Sequence, residues 1–226
     1  MKTLSRLQLL LTFSLSLAVL IGIILANVFL EVEIPKMTRD LAQIAHVHPL
    51  YGILQNLGIL LWCSTTAIVF FTAIVAYQKK QKIFFSFFLS ASLLSAYLLV
   101  DDFFQLHELL VPFYLGINET AVLVVLGISV LAFLISFRKT ILQTDYFFLL
   151  SALGFLASAV VIDFFQPWLM RLGPLRNLLE DSPKWLGIAC WCSYFVQTSY
   201  RFIFMTPESS IAGTRRSHHR QAKRRR

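Results

Sequence analysis

The chain contains 226 residues, of which 57% are hydrophobic and only 14% are charged, and its mean hydropathy is +0.70. Soluble domains carry about 25% charged residues, so this composition predicts a polytopic membrane protein with no sizeable soluble domain. The net charge of +8 comes from basic residues that flank apolar segments, which favours anionic lipid headgroups as partners and not nucleic acid.

Six apolar segments are each long enough to cross the ~30 Å hydrocarbon layer as a helix. In chain order they cover residues 8–30, 52–77, 83–101, 119–137, 146–165 and 183–205. The first is longer than the ~7–15 apolar residues of a cleavable signal, so we expect a retained helix. The predicted fold is all-α, a six-helix transmembrane bundle over residues 1–206. A basic tail at residues 207–226 is predicted to be disordered or held on lipid headgroups.

The distribution of basic residues predicts the orientation of the bundle. One side carries most of them, and they are Lys2, Arg6, Lys79, Lys80, Lys82, Arg138, Lys139, Arg201, Arg215, Arg216, Arg220, Lys223, Arg224, Arg225 and Arg226. Cytoplasmic loops of membrane proteins are enriched in Lys and Arg. Both termini are therefore predicted to be cytoplasmic, in the cell inner membrane or the plasma membrane.

A short polar motif occurs twice. The segment Asp102–Gln105 (DFFQ) returns as Asp163–Gln166, 61 residues later, and Glu119 and Glu180 follow the two aspartates at equal spacing. This repeat predicts that helices three and four and helices five and six are parallel copies of one hairpin. Each aspartate then closes one helix and each glutamate opens the next, at the outer membrane boundary. Ionised carboxylates there are costly, so the repeat marks the expected functional site.

Carboxylate and imidazole side chains together form a ligand set for zinc, manganese or non-haem iron. The predicted metal ligands are Asp102, His107, Asp163 and Glu180. The candidate general bases are Glu108 and Glu119. Supporting roles are predicted for Gln105, Gln166, Asp101 and Asp181. His107 follows Asp102 by five residues, so it joins this site only if the helix bends or breaks.

The same residues have simpler structural interpretations. Glu119 and Glu180 open helices, where the helix dipole favours acidic side chains without any further role. For Asp101, the simpler interpretation is that its side chain faces water. Ser182 and Pro183 are typical of a helix start, with serine as the cap and proline at the first helical position.

Three functions fit these observations. In the first, a bound divalent metal lowers the pKa of a water molecule that hydrolyses a lipid-like ester or amide, which would make the protein a metal-dependent membrane hydrolase. In the second, the acids form the entry site of a small cation- or proton-coupled transporter. In the third, polar pairs lock the helices of a non-catalytic scaffold or assembly subunit. We favour a cation site, because the middles of the spans offer few polar groups for transport.

Overall fold

The computed structural model describes residues 2–165 and 175–205, and helices account for most of these two ranges. No β-strand occurs within them, which confirms the predicted all-helical class for the described chain. The chain divides into two compact units between Ile53 and Leu54. Each unit is described separately below.

The first unit consists of one long helix and two short ones. Helix α1 spans Lys2–Leu30, and its segment Thr12–Leu30 is long and apolar enough to cross a membrane. Two one-turn helices follow, α2 at Ile34–Thr38 and α3 at Leu41–Ala45. His46 ends α3 with a left-handed backbone (φ 53°), which turns the chain away from the helix axis.

The second unit contains the remaining helices. They are α4 (Ile53–Gln78), α5 (Lys82–Phe104), a π-helix (Leu106–Leu110), α6 (Val111–Leu115), α7 (Glu119–Ser136), α8 (Arg138–Ile141), α9 (Phe147–Phe164) and α10 (Leu175–Met205). The start of α7 is capped, because the Asn118 side chain accepts a hydrogen bond from the Thr120 main-chain N–H (2.9 Å). Apolar runs without proline allow α4, α5, α7 and α9 to continue through whole predicted spans.

Five helical segments are long and apolar enough to cross a membrane, and they correspond to the first five predicted spans. They are Thr12–Leu30, Ile53–Gln78, Lys82–Phe104, Glu119–Ser136 and Phe147–Phe164. Helix α10 is long but is not among these candidates. Polar and charged residues along its length, including Asp181, Lys184, Gln197 and Arg201, lower its mean hydropathy. The sixth span, the duplicated hairpin and the orientation stay predictions.

Helix α10 also corrects the predicted helix start. It begins at Leu175, eight residues before the predicted span, and Pro183 lies inside it. Ser182 does not cap the helix, since its hydroxyl donates to the Leu178 carbonyl one turn earlier. The Ser-Pro pair predicted a start because proline lacks an N–H and is favoured at the first helical position, but here the helix continues through Pro183.

Aromatic side chains form the centre of the second unit. Trp62 of α4 contacts Trp191 of α10 edge to face, with ring centroids 5.9 Å apart. Phe87 of α5 stacks on Phe133 of α7 at 5.7 Å, and Phe195 of α10 lies against both phenylalanines. All five side chains are buried. Such ring pairs add about 0.5–1.5 kcal/mol each beyond the area they bury, so this cluster holds α4, α5, α7 and α10 together.

Polar contacts at the two ends of the unit fix the directions of the helices. At one end, Asp102 near the end of α5 contacts two side chains, Gln55 near the start of α4 and Lys184 of α10. At the other end, Lys79, just after α4, donates from Nζ to the Ile203 carbonyl of α10 (3.2 Å). Helices α4 and α10 therefore run parallel to each other and antiparallel to α5.

Candidate functional site

Helix α5 ends abruptly, and the break brings two polar side chains together. Gln105 follows the helix with a left-handed backbone (φ 50°), and the π-helix begins at the next residue. Asp101 accepts a hydrogen bond from the His107 main-chain N–H at Oδ1 (3.1 Å) and contacts His107 Nδ1 through Oδ2 (2.7 Å). One buried carboxylate thus holds both the backbone and the ring of His107.

The second ring nitrogen of His107 also faces a carboxylate, with Nε2 3.4 Å from Glu108 Oε1. Burial alone would lower the pKa of His107, but the hydrogen bonds and charges of Asp101 and Glu108 outweigh burial and raise this pKa to about 9. The hydrogen bond with His107 in turn lowers the pKa of Glu108, although burial opposes the shift. At neutral pH the imidazole is therefore protonated and lies between two carboxylates.

Asp102 has a different set of partners. Its Oδ1 lies 2.6 Å from Lys184 Nζ of α10, and Gln55 Nε2 of α4 donates to the same oxygen (3.0 Å) and to the Asp102 main-chain carbonyl (3.1 Å). The Asp102 side chain is only 6% exposed. Its other oxygen, Oδ2, is buried without a hydrogen-bond partner among residues 2–165 and 175–205. The Asp102 carboxylate therefore joins three helices through Oδ1, while Oδ2 has no hydrogen-bond partner among the described residues.

Glu119 connects a second aspartate to these ion pairs. It is the first residue of α7 and interacts electrostatically with Asp163 of α9, with His107 and with Glu108. Asp163 is partly buried at the penultimate position of α9. The structure thus places both predicted aspartates near the same group of charges.

Asp181 of α10 completes the group. Burial of its carboxyl raises the pKa of Asp181, the charge of Lys184 opposes the shift, and the charge of Glu108 adds to it. We define the acidic cluster as Asp101, Asp102, His107, Glu108, Glu119, Asp163, Asp181 and Lys184. Its carboxylates outnumber its two cationic side chains, so the cluster carries net negative charge.

The acidic cluster lies in a segment that a protein family shares. The profile of a family described as a domain of unknown function (DUF8692) matches residues 10–198. The chain belongs to this family. The match includes every residue of the cluster and ends before the basic tail. No curated protein and no solved structure matches the chain.

The predicted metal site stays a prediction, since the side chain of Glu180 is outside the described residues, and the described side chains alone do not form such a site. Within residues 2–165 and 175–205, no group of three or more His, Cys, Asp or Glu side chains is placed to hold a metal ion. His107 pairs with Asp101 and not with Asp102, and both its ring nitrogens face carboxylates. The predicted break in the helix does occur, but it delivers His107 to a different carboxylate.

The remaining predicted residues have varied positions. Gln105 ends α5 and is exposed, so it does not share a helical face with Asp102, whose amide partner is Gln55. Asp101 does not face water, since it is 4% exposed. Gln166 lies outside the described residues. The same holds for the side chain of Glu180, whose backbone is in α10.

Two residues of the site were missed by the sequence analysis, namely Gln55 and Lys184. Both lie near the start of a predicted span whose first residues are at the same depth as the end of the third span. A comparison of polar residues by depth would have paired them with Asp102. The sequence analysis gave Lys184 no role in the site.

Proposed function

We propose that the protein is a membrane protein that binds a cation at the acidic cluster. The observation that carries this proposal is the buried and uncommitted Oδ2 of Asp102 within a group of residues that has surplus negative charge. A buried polar atom without a partner is unfavourable, and a carboxylate oxygen is a ligand for cations. A bound cation would satisfy that oxygen and reduce the repulsion among the carboxylates.

The donor atoms favour a hard cation such as Mg²⁺, Ca²⁺ or Mn²⁺. Carboxylate oxygens suit these ions, whereas zinc and iron sites in proteins commonly include neutral imidazole. His107 is not a free ligand, because both of its ring nitrogens already face carboxylates. Mg²⁺ commonly keeps several waters and binds through only one or two carboxylates. Such binding agrees with the absence of a three-ligand group among the described residues.

The proposal is tested by ligand-induced stabilisation of the full chain purified in detergent. A ligand that binds only the folded state raises the unfolding temperature with concentration. We expect MgCl₂, CaCl₂ or MnCl₂ to raise it above the value in choline chloride of equal ionic strength. Asp102→Asn and Glu119→Gln should reduce that increase. Asp145→Asn is the matched control, since Asp145 pairs with Arg201 away from the cluster. An unfolding temperature unaffected by all three salts, with no metal in the purified protein, would contradict the proposal.

A structural lock is the second candidate function, because Asp102 bridges α4, α5 and α10. It corresponds to the predicted scaffold or assembly subunit. In that case Asp102→Asn lowers the unfolding temperature in every buffer, and divalent salts have no specific effect on wild type. The dependence of the unfolding temperature on divalent cations therefore separates the two candidates.

We also infer that α10 is a sixth span and that both termini are cytoplasmic. Near the start of α4, Gln55 shares its partner Asp102 with Lys184 of α10, and just after the end of α4, Lys79 contacts Ile203 of α10. The two helices therefore run side by side. At ~1.5 Å per residue, this part of α10 is about as long as a ~30 Å hydrocarbon layer. Hydrolysis of a lipid-like ester or amide would be a further step at the same cluster.

A further inference from the structure

The two oxygens of Asp102 have unequal surroundings. Oδ1 accepts one hydrogen bond from the Lys184 ammonium (2.6 Å) and one from the Gln55 amide (3.0 Å), which accounts for its usual acceptor capacity. Oδ2 is buried and has no hydrogen-bond partner in the described part of the chain. Lys184 and Gln55 therefore hold the carboxylate through one oxygen, and the other oxygen has no hydrogen-bond partner in the described part of the chain.

Lys184 is the cation that the protein itself places on this carboxylate. Its side chain is 29% exposed, and it interacts electrostatically with Glu108 and Asp181 as well as with Asp102. The chain thus contributes a fixed positive charge to the surroundings in which a second cation would bind. Any cation on Oδ2 would lie across a single carboxylate from the Lys184 ammonium.

We infer that Lys184 determines the cation selectivity of the acidic cluster by acting as a resident counter-ion on Asp102. This inference rests on the proposed function and adds a specificity-determining residue to it. Coulomb repulsion is proportional to the product of the two charges, at any distance and dielectric constant. The Lys184 ammonium therefore opposes a divalent cation twice as strongly as it opposes a monovalent cation in the same position.

Removal of the charge at residue 184 should strengthen cation binding, and more so for divalent ions. A purely structural ion pair predicts the opposite, because the loss of one partner leaves Asp102 poorly held and weakens any site that includes it. The sign of the change in affinity therefore distinguishes a resident counter-ion from a structural support.

The experiment measures binding of radiolabelled Ca²⁺ and Na⁺ to the full chain in detergent by equilibrium dialysis. We expect Lys184→Met to bind Ca²⁺ about tenfold or more tightly than wild type. Since repulsion of a monovalent ion is half as large, the gain for Na⁺ should be about the square root of the gain for Ca²⁺, or roughly threefold. Lys184→Arg keeps the charge and should stay close to wild type in both affinities. Lys79→Met removes a lysine at the other end of α4 and should have no effect.

The outcomes distinguish failure of this inference from failure of the proposed function. Unchanged or weaker Ca²⁺ binding by Lys184→Met, with clear binding by wild type, overturns the inference and leaves the proposed function in place. Absence of binding by wild type and by Lys184→Met overturns both. Lys184→Gln serves as a second uncharged variant that retains an amide donor for Oδ1. If both uncharged variants fail to give monodisperse protein while Lys184→Arg succeeds, Lys184 is a structural residue and the inference is wrong.

Discussion

Asp101 and Asp102 are adjacent in the sequence, but their side chains contact different partners. Successive side chains on a helix point about 100° apart, so Asp101 faces the segment after α5 whereas Asp102 faces α4 and α10. The sequence identified Asp102 and His107 as site residues, because charged groups at a membrane boundary stand out in an apolar chain. The pairing of His107 with Asp101 depends on the left-handed conformation of Gln105, and no glycine or asparagine at that position signals it in the sequence.

The stability of the protein should fall at alkaline pH because of His107. The folded-state pKa of about 9 exceeds the ordinary value of 6.5. The contribution of the protonated imidazole is therefore complete below about pH 6.5 and is lost as the pH rises through about 9. We expect the unfolding temperature of wild type in detergent to decrease across this window and that of His107→Asn to change much less.

His48→Asn is the control for this pH profile. His48 is exposed in the first unit, where its Nδ1 accepts a hydrogen bond from the Leu50 main-chain N–H (3.3 Å). Its replacement should leave the alkaline decrease as large as in wild type. Equal alkaline decreases in wild type and His107→Asn would mean that another group causes the loss of stability.

At the level of elements, α9 and α10 pack closely against each other at a glycine. A Cβ atom added to Gly187 of α10 would lie 2.7 Å from Leu156 Cγ and 3.1 Å from the Leu156 main-chain nitrogen of α9. The sequence predicted both helices but not this contact, since small residues occur throughout the spans without marking which face is packed. Close approach at small residues is a common basis of helix association in membranes.

Gly187→Ala should therefore destabilise the protein. Because the added methyl group meets a side-chain branch and a backbone atom, the helices must separate, and overpacking of this kind costs about 1–3 kcal/mol. Gly154→Ala is the matched control on α9, where a Cβ atom would meet nothing within 4 Å. That variant should be neutral or slightly stabilised by the better helix propensity of alanine. Thermal unfolding of both variants in detergent tests the contact, and equal unfolding temperatures would contradict it.

At the scale of the whole molecule, the sequence predicted the helical class and six spans, five of which correspond to membrane-crossing candidates in the structure, since long apolar runs determine these features locally. The last helix was harder to predict. Asp181 lies inside α10, whereas sequence reasoning placed the start of the helix at Pro183, with Ser182 as its cap. Lys184, near this end of α10, contacts Asp102 of α5, and a pattern of hydrophobic residues does not contain such a tertiary contact.

Whether α10 crosses the membrane can be determined by cysteine labelling in intact cells. In a background with Cys63, Cys190 and Cys192 replaced by alanine, single cysteines are introduced as Ile117→Cys, Gln143→Cys and Ser209→Cys. Positive-inside topology with six spans places residue 117 outside and residues 143 and 209 in the cytoplasm. A membrane-impermeant maleimide should then label Ile117→Cys in intact cells and label the other two only after permeabilisation.

Labelling of Ser209→Cys from outside, with Gln143→Cys still protected, would show that α10 does not cross and that the bundle has five spans. Labelling of Gln143→Cys and protection of Ile117→Cys would instead reverse the orientation and place the acidic cluster at the cytoplasmic face.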